Sequence, residues 1–390
     1  MADLSSLAEC LFASSPCPAA LMYVPRPARC FAPMRIILAK GSTTTLQRQR
    51  LAEAICRAYP KAVVEERPDV HHNQIDLGIA DRLGLHHEGK RTLVLGEHLS
   101  SVRRSDEDGN TCPNYWHFSP YGFCPYGCDY CYLAGSRGVR FSPTVKIFMN
   151  LDEMLDRIDA VARKYARPMP FYLGKLQDGL ALDRLTGYSR RMIPFFADHP
   201  YARMTVLTKS VDVENLLDLD HRQHTILSWT TNPTEIDQQF EPNTPSVEKR
   251  IEAMRQCAAA GYPVRAVVMP IIPIADWRKA YETFLRHLLT RVPLSRITLG
   301  GTCIYQPALQ LVELKLGGEN AISKQLQPPQ TDGDRRSRYA ESQRVDIYRH
   351  LIETIRSIQP DLPIGLCLEQ ASVFETLGMT PAIGQCNCLL

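Results

Sequence analysis

No stretch of the 390-residue chain approaches the roughly 20 consecutive apolar positions that a spanning helix requires, so a membrane-crossing helix is excluded. Charge of one sign is missing as well: 45 Lys and Arg stand against 42 Asp and Glu, a net +3. Bulk charge therefore does not announce a nucleic-acid binder, although a clustered basic face is invisible to a total. Internal repeats and low-complexity tracts are absent. The N-terminus lacks the basic start, apolar stretch and small-residue cleavage site of a secretory signal. Residues 1–33, rich in cysteine and proline, read instead as a disordered tail, with Met34 as an alternative functional start.

What is abundant is cysteine. Thirteen thiols without an export signal, and an odd number of them, argue against a disulfide framework and for metal or redox use in a reducing cytoplasm. Hydrophobic residues at 44% and charged residues at 22% are ordinary for a chain able to bury a full core.

Residues 34–110 read as a small α/β unit: a strand RIILA, an amphipathic helix LQRQRLAEAICRAY and a strand KAVVEE, closed by a loop-like SSVRRSDEDGN. Residues 111–390 form the main unit. Its apolar runs are VKIFM (145–149), MPFYL (169–173), MTVLT (204–208), TILSW (225–229), VRAVVM (264–269), RITLGG (296–301) and IGLCL (364–368), separated by helical stretches. Strands alternating with helices imply right-handed crossovers and a parallel sheet, here a complete or partial α/β barrel. Residues 318–343 break the rhythm and read as an exposed insertion.

Three cysteines stand together in FCPYGCDYCYLAG (123–135): Cys124, Cys128 and Cys131, spaced C-x3-C-x2-C. Three thiolates from one short loop can ligate three irons of a cubane and leave the fourth open. A zinc loop completed by Cys112 or His117, a partial disulfide set and unconnected core cysteines are the alternatives; structural zinc asks for four ligands in paired short spacings.

The spacing, with an aromatic residue before the last cysteine, resembles the radical S-adenosylmethionine (SAM) superfamily. CDYCYL, NLDEML, FYLGKLQDGLALDRLT, VLTKS and FEPNTPSVEKRIEAMRQCAAAGYP follow in order over about residues 120–275 and resemble the spore photoproduct lyase family. That resemblance implies a partial (β/α)6 barrel, a [4Fe–4S] cluster on Cys124, Cys128 and Cys131, and SAM opened to a 5′-deoxyadenosyl radical. It further implies hydrogen abstraction from a thymine dimer in DNA and a reducing donor such as flavodoxin or ferredoxin. It places Tyr130 and Tyr132 beside the last cysteine for hydrogen transfer or SAM contact, Asp178 on the SAM ribose, Lys209 on the SAM carboxylate, and Thr230 where the family has a serine.

Plainer readings stand beside these. The tyrosines pack the loop, and Asp178 and Lys209 are solvated charges, as Glu248 and Arg250 are expected to be. Lys175 occupies the position of the family's hydrogen-donating cysteine, and an ammonium cannot serve as that donor. Cys303, Cys386 and Cys388 are the candidate replacements, with Cys367 nearby; the tail cysteines also suit a second metal site. Against this, Cys303 and Cys367 suit a core, as Cys257 does, and a tail is often disordered. The reaction therefore either keeps the lesion with another thiol or moves to another substrate, such as a nucleoside, cofactor precursor or peptide. A non-catalytic metal-binding protein is the third possibility. A DNA substrate needs a basic surface, for which Arg103, Arg104, Arg137, Arg140 and the RSR at 336–338 are available.

Overall fold

The computed structural model describes residues 23–390 except 106, 108 and 330–332. In chain order its strands are β1 (Arg35–Ala39), β2 (Val63–Arg67), β3 (Thr92–Gly96), β4 (Val102–Arg104), β5 (Trp116–Phe118), β6 (Tyr121–Gly122), β7 (Val145–Phe148) and β8 (Met169–Leu173). They continue as β9 (Ala202–Thr208), β10 (Thr225–Thr230), β11 (Val264–Ile271), β12 (Arg296–Gly301), β13 (Cys303–Tyr305), β14 (Arg336–Arg338) and β15 (Ile364–Leu366).

The larger sheet runs β15-β12-β11-β10-β9-β8-β5-β4. From β5 to β15 every neighbour is parallel, and β4 closes one edge antiparallel to β5. Among the described residues β4 and β15 do not pair with each other, so the sheet is an open, partial barrel. Its strands are apolar on consecutive positions because the outer face is covered by crossover helices. Leu151–Tyr165 is typical: Leu151, Met154, Leu155, Ile158 and Ala162 form its buried stripe, and it carries acids in the first turn and bases in the last.

The smaller sheet runs β2-β1-β3-β7-β6. VKIFM, expected among the barrel strands, is β7 and pairs with β3 instead. SSVRRSDEDGN, expected as a loop, supplies β4 to the larger sheet. Residue 110 is thus not a break between sheets. The chain leaves the first sheet after β3, starts the second with β4 and β5, returns for β6 and β7, and only then builds the barrel. The cysteine loop lies on that return path.

Three further expectations change. Of the supposed disordered tail, residues 1–22 lie outside the described residues, but Ala28 and Phe31 are in the core and the Ala28 amide donates to the Tyr59 hydroxyl. The supposed exposed insertion buries Ile322, Ser323, Asp334 and Tyr339, and its β14 pairs with β13. The C-terminal residues are ordered against the inner face of the barrel. Ser228 Oγ donates to Asn387, Arg265 to the carbonyls of Asn387 and Leu389, and Arg296 to those of Cys386 and Leu390. Alternation puts Ser228 and Arg265 on the same face as Thr230 and Val267, so the tail fills the N-terminal half of a face whose C-terminal half stays open. Among the described residues no helix is long and apolar enough to cross a membrane.

Candidate active site

That open half is a cavity of ≈ 180 Å³ at the C-terminal ends of the barrel strands, where α/β barrels carry their sites. Gly174 follows β8, Thr208 and Lys209 close β9, Thr230 ends β10, Met269 stands near the end of β11, and Thr302 follows β12. The cysteine loop covers the opening. Cys124, Cys128 and Cys131 line the cavity together with Tyr130, Tyr132, Asp178, Lys209, Thr230 and Cys303. Residues spread over 180 positions of sequence therefore meet at one place, save Cys386 and Cys388, which do not line it.

The loop is held from two directions. Beneath it, Lys90 Nζ donates to the carbonyls of Cys124 and Tyr126 and stands 3.7 Å from the Phe123 ring centroid. On the other side, Gly127 N donates to Pro242 O at 3.0 Å and Asp129 N to Phe240 O at 2.9 Å. A Cβ on Gly127 would meet Pro242 O at 2.7 Å, so only glycine allows that approach.

Glu241, between those two carbonyls, was not singled out by sequence reasoning. Its carboxylate takes the Tyr130 hydroxyl, Lys209 Nζ at 3.3 Å and Arg250 Nη2 at 2.5 Å. Burial would raise its pKa, but Lys209 and Arg250 hold it down to about 2. Arg250, expected on a helix surface, is 0% exposed and also pairs with Asp237 at 2.9 Å. Glu248 is exposed as expected, on His287 and Arg291. The available signal was FEPNTPSVEKR itself: an acid before a turn and a base on the following helix, whose pairing the intervening turn conceals.

Asp178 is braced rather than free. Its oxygens accept from the amides of Leu180, Ala181 and Lys209 at 3.0, 2.9 and 2.7 Å and from the Thr208 hydroxyl at 2.6 Å. Burial nevertheless leaves its pKa raised against these bonds. Lys209 is buried and Asp178 is half-buried with both oxygens bonded, so neither is a solvated surface charge. Tyr130 packs with its hydroxyl on Glu241, whereas Tyr132 is 44% exposed and donates to the Lys175 carbonyl.

Lys175 itself does not line the cavity. Its ammonium turns to Ser105 and to Glu107 at 2.6 Å, and Glu107 also takes Arg336 at 2.9 Å. Burial opposes ionisation of Glu107, yet Lys175 and Arg336 bring its pKa below the usual carboxylate value. Cys303 is the candidate replacement thiol that reaches the cavity. Cys386, 4% exposed, contacts the thiols of Cys112 and Cys388 beneath it. Cys257 is core, as the plainer reading had it.

The donor set fits an iron–sulfur cubane, three thiols on one loop; burial pushes the Cys124 and Cys128 thiols up, and the cations Lys90 and Lys209 beside them oppose that rise. A single ion is less well served. Among the described residues no three His, Cys, Asp or Glu side chains come together to hold one, Cys112 engages Cys386, and His117 is buried in β5.

The family model for spore photoproduct lyase matches residues 42–299. The chain belongs to the spore photoproduct lyase family. Among curated members, that of Clostridium acetobutylicum is 32% identical over 202 residues, covering 51% of this chain and 58% of the relative. That of Bacillus subtilis is 29% identical over 233 residues, 59% of this chain and 66% of the relative. The chain thus spans less than two thirds of the length of either. A solved spore photoproduct lyase complexed with dinucleoside spore photoproduct superposes with a TM-score of 0.76 at 21% identity, covering 87% of this chain and all of the other. A mutant with bound AdoMet and the same dinucleoside gives 0.75 at 21% identity, over 86% of this chain and 99% of the other. These likenesses show that the fold is shared over more of the chain than the matched segment.

Proposed function

We propose that the chain is a radical SAM lyase that repairs a thymine dimer in DNA, and the observation that carries this is the convergence of the three loop thiols with Asp178, Lys209, Thr230 and Cys303 on one cavity. Bound there, a [4Fe–4S] cluster and SAM would supply a 5′-deoxyadenosyl radical able to take one hydrogen atom from the lesion. Cys124, Cys128 and Cys131 are the cluster ligands. Lys209, oriented by Glu241, presents an ammonium to a carboxylate, a charge-assisted contact. Asp178 offers carboxylate oxygens to ribose hydroxyls from a position fixed by its own amide bonds. Thr230 lends a hydroxyl to the same wall. Cys303 gives its S–H hydrogen to the carbon radical left after the dimer separates, which leaves a Cys303 thiyl. Tyr132, at the rim, would return a hydrogen atom to that sulfur and recover its own from the 5′-deoxyadenosine formed in the first abstraction, so the hydrogen count closes. Tyr130 is a positioning residue through Glu241.

A second reading, the same radical chemistry on another substrate, is favoured by one observation: the family's donor position holds Lys175, tied into an ion pair outside the cavity. Anaerobic reconstitution with SAM, dithionite and dimer-containing DNA separates the two. Repaired thymine together with 5′-deoxyadenosine is expected; deoxyadenosine with no repair would keep the radical chemistry and remove the lesion as substrate.

A further inference from the structure

The loop that carries the cysteines has two sides. Cys124, Tyr126, Cys128 and Tyr130 line the cavity, while the residues between them, Pro125, Gly127 and Asp129, line a separate groove of ≈ 1020 Å³ on the opposite side. The bends and turn of the loop set these residues on its two sides in alternation. The cluster ligands consequently stand one backbone thickness from a solvent-open groove on the side away from substrate.

The groove is cationic. Arg29, His87, Lys90, Arg91 and Lys315 line it; Arg29 is paired with Asp212 and Glu214, and Lys315 with Asp129 at 3.4 Å, so the positive charge left over comes from Lys90 and Arg91. His87 and Arg91 stand exposed at its edge. Phe31, Leu83 and Pro242 give its walls an apolar part. A DNA strand laid here would have the loop between itself and Cys303, so the groove does not serve the lesion. What it does offer is a short path into the cluster loop from outside, through backbone that Lys90 grips by two carbonyls.

We propose that this groove docks the electron donor: a small acidic one-electron carrier protein of the flavodoxin or ferredoxin kind, with its prosthetic group facing Pro125–Asp129. The proposal rests on Cys124, Cys128 and Cys131 being cluster ligands. In the step, the carrier loses one electron and the cluster gains it, with no bond made or broken. Opposite charge steers the encounter and fixes its register, so the effect is one of association rate and fades with salt.

The test compares two reductants in the reconstituted full chain: dithionite, which needs no docking, and an acidic flavodoxin in its reduced form, each read by 5′-deoxyadenosine formed from SAM. The double variant His87→Glu/Arg91→Glu is expected to keep the dithionite-driven rate and lose flavodoxin-driven rate on the order of tenfold at low ionic strength, with the gap closing as salt rises. Arg91→Gln should fall between, and Arg163→Glu, at an exposed position on the helix Leu151–Tyr165, should match wild type. An unchanged flavodoxin-driven rate in the double variant and in Arg91→Gln, or an equal loss in Arg163→Glu, overturns the docking site. If wild type forms no deoxyadenosine even with dithionite, the cluster reading itself falls and takes the docking site with it.

Discussion

Glu241 is the residue on which the cysteine loop, the cavity-lining Lys209 and the FEPNTP turn depend together. With its carboxyl held down to about 2 from an ordinary 4.5, linkage assigns it about 3 kcal/mol of native-state stability. A depressed folded-state pKa gives stability that is full above the unfolded value and is lost as pH falls through the folded one. Glu241→Gln should therefore lower the unfolding free energy by about 3 kcal/mol at neutral pH, with the gap to wild type narrowing from about pH 4.5 towards pH 2 in urea melts. A gap independent of pH would mean the carboxylate contributes shape alone. Cys303→Ala tests the donor. It should leave 5′-deoxyadenosine formation intact and reduce thymine recovery at least about tenfold, a barrier increase of about 1.4 kcal/mol. At this scale Cys124, Cys128, Cys131, Asp178 and Lys209, which lie in the quoted segments, reach the cavity, as do Thr230 and Cys303, each just past the end of an expected strand. Glu241 and Arg250 were illegible because a buried ion pair between a turn and a helix has no periodicity. Each partner alone looks like a surface charge.

Among the elements, the short strand β15 shows how tightly the C-terminal segment is built in. A Cβ at Gly365 would meet Gln385 O at 2.2 Å and Cys386 Cα at 3.5 Å, a backbone contact that no rotamer relieves. Gly365→Ala should therefore destabilise the full chain by about 1–3 kcal/mol through forced displacement of the tail. In a chain ending at residue 384 the same substitution should cost much less. Equal costs in thermal melts of the two backgrounds would separate β15 from the tail. The strands themselves were readable from consecutive apolar runs and intervening helices. Which sheet each strand joins was not: β7 has the composition of a barrel strand because it and its neighbour β3 are buried on both faces within the smaller sheet, and its pairing with β3 and β6 decides where it goes. The polar segment holding β4 was misread for the complementary reason, since an edge strand needs little apolar surface.

For the whole molecule, the proposed DNA substrate has to meet surface that is actually available. Arg336 and Arg338, expected to help, are buried on Asp334 and Glu107 and are closed to phosphate. Arg103, Arg104 and Arg140 are exposed, and Arg103 and Arg104 lie side by side on the edge strand β4. Arg103→Glu/Arg104→Glu should weaken binding to lesion-bearing duplex uniformly across sequences and lower the salt slope by about two. A slope unchanged from wild type would place the duplex elsewhere. The bulk composition could not have located this surface, because a net +3 averages it with the paired arginines inside.

Two of the contacts that hold the cysteine loop come from Phe240 and Pro242, whereas Lys90 precedes it. During synthesis, therefore, one support is present before the thiols emerge and the other follows roughly a hundred residues later, a delay on the order of ten seconds at ribosomal rates. For that interval Cys124, Cys128 and Cys131 hang on a half-built loop, open to oxidation and to the wrong metal. Iron–sulfur assembly thus belongs after the FEPNTP turn has closed, and a cell making this protein must keep the three thiols reduced until then.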